Sequence, residues 1–162
     1  MKKLTLVRHA KSSWQFNLPD HLRPLNMRGL VDADIVSKRL KSLDYYPDLL
    51  LSSNAVRAQS TAEIFIKSLN IPSNVCHFNH ELYDFSGEHL TFHIKNCPNQ
   101  INNLIVFGHN DAITNFVNLF GNKNIENVPT CGVVSITFDT HFWNDIELGN
   151  TTLTIFPKDL KQ

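Results

Sequence analysis

Short apolar runs alternate along the chain with longer stretches in which apolar residues recur every three or four positions. Leu4–Val7, Asp48–Ser53 and Asn103–Phe107 are brief, mostly aliphatic and bounded by polar residues, the pattern of strands buried on both faces. Between them, Leu30, Ala33, Val36, Leu40 and Leu43 mark the apolar stripe of a helix, with Asn26 as its N-cap. Tyr46 and Pro47 end that helix. A second helix spans Val56–Leu69, with Ala58, Ala62, Phe65, Ile66 and Leu69 near one face and Pro72 closing it. The same reading gives a short strand at Val75–Phe78, a loop at Glu81–Gly87 and a helix from Glu88 to about Asn96. It then gives a helix over Asp111–Phe120 closed by Gly121, and final strands at Thr130–Phe138 and Thr151–Phe156. Pro19 and Pro24 exclude a continuous helix through Ser12–Leu25. Strands alternating with helices predict an α/β fold, a three-layer α/β/α sandwich with a mainly parallel central sheet, and residues 1–162 read as one domain.

Composition narrows the partners. Lys+Arg and Asp+Glu balance at 15 each, so no global field draws in nucleic acid or an anionic membrane, and anion binding must be local. Cys76, Cys97 and Cys131 are odd in number and far apart, which suits reduced thiols better than a disulfide framework. The basic Met1-Lys2-Lys3 is followed by only four residues before Arg8, too short a stretch for a signal peptide's apolar region. The expectation is a cytoplasmic protein, monomeric, with neither nucleic-acid nor membrane partners.

Three of the predicted strands end alike. Leu4–Val7 runs into Arg8-His9; the strand ending at Ser52-Ser53 is followed by Arg57; Asn103–Phe107 runs into Gly108-His109. Parallel strands place these ends on one edge of the sheet, where ligands of open α/β folds bind. Two guanidiniums and two imidazoles around one point suit a tetrahedral dianion, because the planar fork of arginine matches phosphate oxygens. Neighbouring positive charge should lower the pKa of His9 below about 6.5, leaving a neutral nitrogen free to attack phosphorus. Arg8, Arg57 and a protonated His109 would then neutralise the charge spread over the phosphoryl oxygens.

These residues, with their neighbours, resemble the histidine phosphatase superfamily, whose fold is phosphoglycerate mutase-like. The resemblance rests on Leu6-Val7-Arg8-His9-Ala10, Arg23-Pro24-Leu25-Asn26 with Arg28-Gly29, Ser52-Ser53-Asn54-Ala55-Val56-Arg57-Ala58, Glu81-Leu82-Tyr83 and Gly108-His109-Asn110, in that order over most of the chain. The Arg-His-Ala-Lys-Ser-Ser-Trp segment and the short length are most similar to SixA-type phosphohistidine phosphatases. The resemblance implies a phosphatase with no metal or other cofactor. His9 would be the phosphorylated nucleophile, and Arg8, Arg57 and His109 would complete the phosphate pocket. Its substrate would be a phosphorylated protein of the histidine-containing phosphotransfer type, or a small phosphorylated molecule. Asn54 and Asp111 stand where the family often has proline; Asp111 suits a helix N-terminus.

Other assignments have equal or stronger bland alternatives. Glu81 is the candidate proton donor by position alone, with Asp84 and Glu88 nearby. Arg23 is a pocket-rim residue or simply a partner for Asp20, and Ser12 a phosphate ligand or an ordinary turn hydroxyl. Trp14 and Trp143 either flank the crevice or pack in the core. His89 and His93 have the spacing of a zinc pair but lack a recognisable third ligand, so they read as an exposed helix face, as His77 and His80 read as surface. The competing functions are a small-molecule phosphomonoesterase or phosphoglycerate mutase-like enzyme, a non-catalytic phosphate-dependent binding module and, more remotely, a metallohydrolase built on His89 and His93.

Overall fold

The computed structural model describes residues 1–161. Its strands are β1 (Lys2–Arg8), β2 (Leu49–Ser53), β3 (Cys76–Asn79), β4 (Asn103–Gly108), β5 (Val133–Phe138) and β6 (Asn150–Ile155). The helices are α1 (Met27–Ser42), α2 (Val56–Leu69), α3 (Glu88–Lys95), α4 (Ala112–Phe120) and the short α5 (Pro157–Leu160). The strands form one sheet in the order β3-β2-β4-β1-β5-β6; the first four are mutually parallel, and β5 and β6 pair antiparallel at one side. The fold is the three-layer α/β/α sandwich.

Alternation along the central strands divides the core in two. Leu4, Leu6, Leu104 and Val106 pack against Leu90 and Ile94 of α3 and Phe116 and Val117 of α4. Val7, Ile105 and Phe107 face the other way, onto Ala33, Val36 and Leu40 of α1 and Ala62 and Phe65 of α2. Phe65 meets Phe107 edge-on, with ring centroids 5.1 Å apart. Because β4 is covered on both faces, its continuous apolar run is what a central strand requires.

The α1 stripe is narrower than its spacing suggests: Leu30 and Leu43 are exposed, while Ala33, Val36 and Leu40 are buried. Asn26 caps the helix as expected, accepting the Gly29 N–H at 2.8 Å. Gly29 presses on the segment after His9, and a Cβ there would lie 2.1 Å from the Lys11 carbonyl oxygen. Only glycine lets the helix approach so closely. Trp143 belongs to the core, where its indole N–H donates to the Ile101 carbonyl at 2.8 Å. Cys97 and Cys131 are buried and Cys76 half-buried, and all three are free thiols.

The register aligns the ends that carry the chemistry. Val7 and Ser52 both pair with Phe107, and Arg8 pairs with Gly108, so β1, β4 and β2 end level with one another. The His9 N–H continues the ladder to the Gly108 carbonyl at 3.0 Å.

Candidate active site

Arg8 and His9 leave the end of β1, His109 leaves β4, and Arg57 points back from the first turn of α2. Arg8, His9 and Arg57 line a cavity of about 540 Å³ together with Lys11, Ser12, Trp14, Asp20, Arg23, Tyr83, Phe85, Asn110 and Thr130. The His109 ring stands beside the same cavity, its centroid 5.2 Å from that of His9. Tyr83 and Phe85 pack edge-on against His109 at 5.2 and 5.3 Å.

The tautomer of His9 is fixed by its own backbone. Nδ1 lies 2.7 Å from the Ala10 carbonyl oxygen, which can only accept, so Nδ1 carries the hydrogen. Nε2 therefore presents its lone pair to the cavity, where the Arg57 Nε–H points at it from 3.3 Å. Burial, helped by the charges of Arg57, Arg8 and Arg23, lowers the His9 pKa to about 3. The imidazole is neutral throughout the ordinary range.

His109 is neutral as well, against the protonated form expected from sequence. Burial first, then the fields of His9 and Arg57, push its pKa down to about 2. Its Nε2 lies 2.8 Å from Ser53 Oγ, and that hydroxyl already accepts the Ala55 N–H at 3.1 Å. When the serine hydroxyl donates to Nε2, the hydrogen of the ring sits on Nδ1. Nδ1 of His109 and Nε of Arg8 are both buried without a partner. Buried polar nitrogens normally find partners, and these two belong to side chains that flank His9. Arg8 is otherwise anchored by one bond, from Nη1 to the Val128 carbonyl at 3.0 Å.

The loop before α1 completes the wall. Arg23 is buried; its Nη1 donates to Ser12 Oγ at 2.7 Å and its Nε to Asp20 at 3.1 Å, with Trp14 stacked over the guanidinium at 3.6 Å. Ser12 thus reaches the cavity as a support for Arg23. Arg57, 3 % exposed, gives Nη1 to the Asp20 carbonyl at 2.7 Å and Nη2 to the Asp20 carboxylate at 2.9 Å. The Tyr83 hydroxyl donates to the same carboxylate. Burial works against ionisation of Asp20, but bonds from Tyr83 and the Arg57 and Arg23 guanidiniums hold it well below the usual carboxylate range.

Glu81 is not among the residues lining this cavity. Its carboxylate turns to α3, 2.9 Å from His93 Nε2 and 3.7 Å from His89 Nδ1, so the carboxylate that the structure brings to the pocket is Asp20. Among the described residues, no group of three or more His, Cys, Asp or Glu side chains is arranged to hold a metal ion. Asp111 lies outside the cavity lining and makes no capping bond; Asn110 takes that part, its Oδ1 accepting from the Thr114 N–H at 3.1 Å. Sequence reasoning missed Asp20, Tyr83 and Phe85, whereas Trp14, read as a crevice or core residue, lines the cavity.

Holding two imidazoles neutral makes stability depend on pH. Below about 6.5 the unfolded chain protonates both rings while the folded chain does not, until its own pKa values of about 3 and about 2 are reached. Stability is therefore full above about 6.5 and falls with pH below it, by up to about 1.4 kcal/mol per pH unit per ring. Urea unfolding at pH 7.5 and 5.5 is expected to differ by about 2–3 kcal/mol. A flat profile across that interval would contradict the burial of two neutral rings.

Compared with known proteins, residues 4–83 match the model of the histidine phosphatase superfamily (branch 1), and the chain belongs to that superfamily. An uncharacterised chloroplastic protein of Arabidopsis thaliana is 30% identical over 154 residues, covering 89% of this chain and 70% of the relative. Among solved structures, the protein histidine phosphatase SixA complexed with tungstate superposes with a TM-score of 0.84 at 20% identity, covering 98% of this chain and 99% of that one. A SixA described as a putative phosphohistidine phosphatase, from Agrobacterium tumefaciens, gives 0.71 at 22% identity over 85% of this chain and 92% of its own. No helix among the described residues is long and apolar enough to cross a membrane.

Proposed function

We propose that the protein is a metal-independent phosphatase that passes phosphate through Nε2 of His9 and takes it from phosphohistidine on a signalling protein. The observation that carries the chemistry is the fixed lone pair of His9 in a cavity walled by Arg8, Arg23 and Arg57, with the Arg57 Nε–H 3.3 Å away. A phosphoryl group on Nε2 would bring its oxygens among these guanidiniums, the Arg57 Nε–H nearest. Arg8 and Arg57 supply the positive charge that developing negative charge needs in a largely dissociative transfer.

The rim argues for a protein substrate. Trp14 is 75% exposed and Phe85 47%, both at the cavity, and Phe16 in the same loop as Trp14 is 54% exposed. Leu18 and Leu22 of that loop are exposed too. Exposed apolar side chains gathered at a polar rim are a mark of contact surfaces. The similar fold of a protein histidine phosphatase that binds tungstate, a tetrahedral oxyanion, supports the same reading.

The test presents the protein, in EDTA, with a histidine-containing phosphotransfer domain phosphorylated on histidine and, separately, with p-nitrophenyl phosphate. The expected kcat/KM is higher for the phosphodomain by at least about a hundredfold, a discrimination of some 3 kcal/mol. A higher value for the small ester would overturn the substrate class. Loss of both activities in EDTA would overturn the metal-independent mechanism, and binding of the phosphodomain without turnover would make the site a binding module.

A further inference from the structure

Asp20 is an unexpected occupant for an anion pocket. Its carboxylate draws on Arg23 Nε at 3.1 Å, Arg57 Nη2 at 2.9 Å and the Tyr83 hydroxyl, and so lowers the positive charge on offer to a phosphate. Neutralising two arginines would explain a carboxylate in the wall, but not its place relative to the nucleophile. Arg57 spans the two: its Nε meets His9 Nε2 and its Nη2 meets Asp20, so the carboxylate stands one guanidinium's width from the attacking nitrogen. It also stands on the solvent side, its side chain 43% exposed against 3% for Arg57. In an in-line displacement the leaving group departs opposite the attacking atom; with His9 buried, that is towards the solvent side, where Asp20 also stands.

We propose that Asp20 is a specificity-determining residue that selects a leaving group by charge, favouring a protonated phosphohistidine ring over a phosphomonoester. This deepens the phosphohistidine reading given above and rests on it. With phosphohistidine, the P–N bond to the substrate ring breaks as the P–Nε2 bond to His9 forms. The electron pair returns to the substrate nitrogen, and the proton already on the distal ring nitrogen stays there, so the leaving group is neutral imidazole and no acid is needed. Water then forms an O–P bond as P–Nε2 breaks; both water protons remain on the product, dihydrogen phosphate, and His9 returns neutral with its hydrogen on Nδ1. Throughout the first step the carboxylate faces a ring that begins cationic and ends as an N–H donor, an attraction at every stage. A phosphomonoester instead develops an alkoxide or phenoxide beside a carboxylate, with like charges in a partly desolvated site. The same side chain attracts one leaving group and repels the other.

The experiment compares wild type, Asp20→Asn and Asp20→Glu on two probes, free N-phosphohistidine and p-nitrophenyl phosphate, with tungstate binding as a check that the pocket is intact. In Asp20→Asn, kcat/KM on phosphohistidine should fall about ten- to thirtyfold further than that on p-nitrophenyl phosphate, so their ratio drops by that factor. Tungstate should bind more tightly, and Asp20→Glu should recover part of the ratio. Equal losses on both probes, the result of a simple brace for Arg57 and Arg23, would overturn the proposal, as would an unchanged ratio. The phosphohistidine reading fails separately: a wild type that prefers p-nitrophenyl phosphate to phosphorylated histidine would sink that reading, whereas a wild type with the opposite preference and a ratio insensitive to Asp20→Asn would sink only the role of Asp20.

Discussion

Replacing His9 with alanine is expected to abolish turnover, with kcat falling by at least about 10⁴-fold. The expectation follows from the local geometry. The Ala10 carbonyl holds the hydrogen on Nδ1, the Arg57 Nε–H lies at 3.3 Å, and burial keeps the ring unprotonated, so Nε2 is the one nitrogen in the cavity poised as an electron-pair donor. His109 cannot substitute, because its Nε2 is engaged with Ser53 and its ring is buried behind Tyr83 and Phe85. Folding should survive: the side chain makes its hydrogen bonds to its neighbour and to Arg57, and burying one fewer imidazole relieves part of the acid sensitivity described above. Steady-state kinetics on the phosphodomain, with a thermal melt as control, measure both. A variant retaining a tenth or more of wild-type kcat would remove His9 from the reaction.

Arg57→Ala should be the next most damaging change, lowering kcat by about 10²–10³-fold, as expected for one preorganised donor aimed at developing charge. Arg57 does more than donate. Its three nitrogens tie His9, the Asp20 carbonyl and the Asp20 carboxylate into one arrangement, so its loss also frees the loop before α1. Arg57→Lys should recover little, because one ammonium cannot serve three acceptors set around a planar fork. Burst kinetics separate formation of the phosphoenzyme from its hydrolysis, and the loss should fall on formation. Near-wild-type activity in Arg57→Lys would show that charge alone suffices and that the fork geometry is irrelevant.

The parts of the molecule legible in the sequence are those that depend on short-range pattern. β4 and α2 read correctly because a central strand is apolar throughout and a helix packed on one face keeps its stripe. His9, Arg57 and His109 could be set together in advance because each follows a strand, and parallel strands share an edge. Asp20 and Tyr83 were not legible as a pair. They are 63 residues apart, and they meet only because the irregular loop before α1 is strapped down by Arg23, Ser12 and Trp14. Glu81 illustrates the reverse error: its chain position suggested a proton donor, but His93 and His89 offered nearer partners on α3. The neutral His109 is illegible for a related reason: strand ends show its place beside a phosphate, but the cost of burying an imidazolium depends on the packing around it.

The central claim is that His9 Nε2 carries phosphate during turnover. Mixing the protein with the phosphodomain, quenching in alkali within milliseconds and mapping the modified peptide by mass spectrometry tests it directly. One acid-labile phosphoryl group on His9, absent from His9→Ala and appearing no more slowly than product, is the predicted result. Product formed at the full rate with His9 unmodified at every quench time would contradict it.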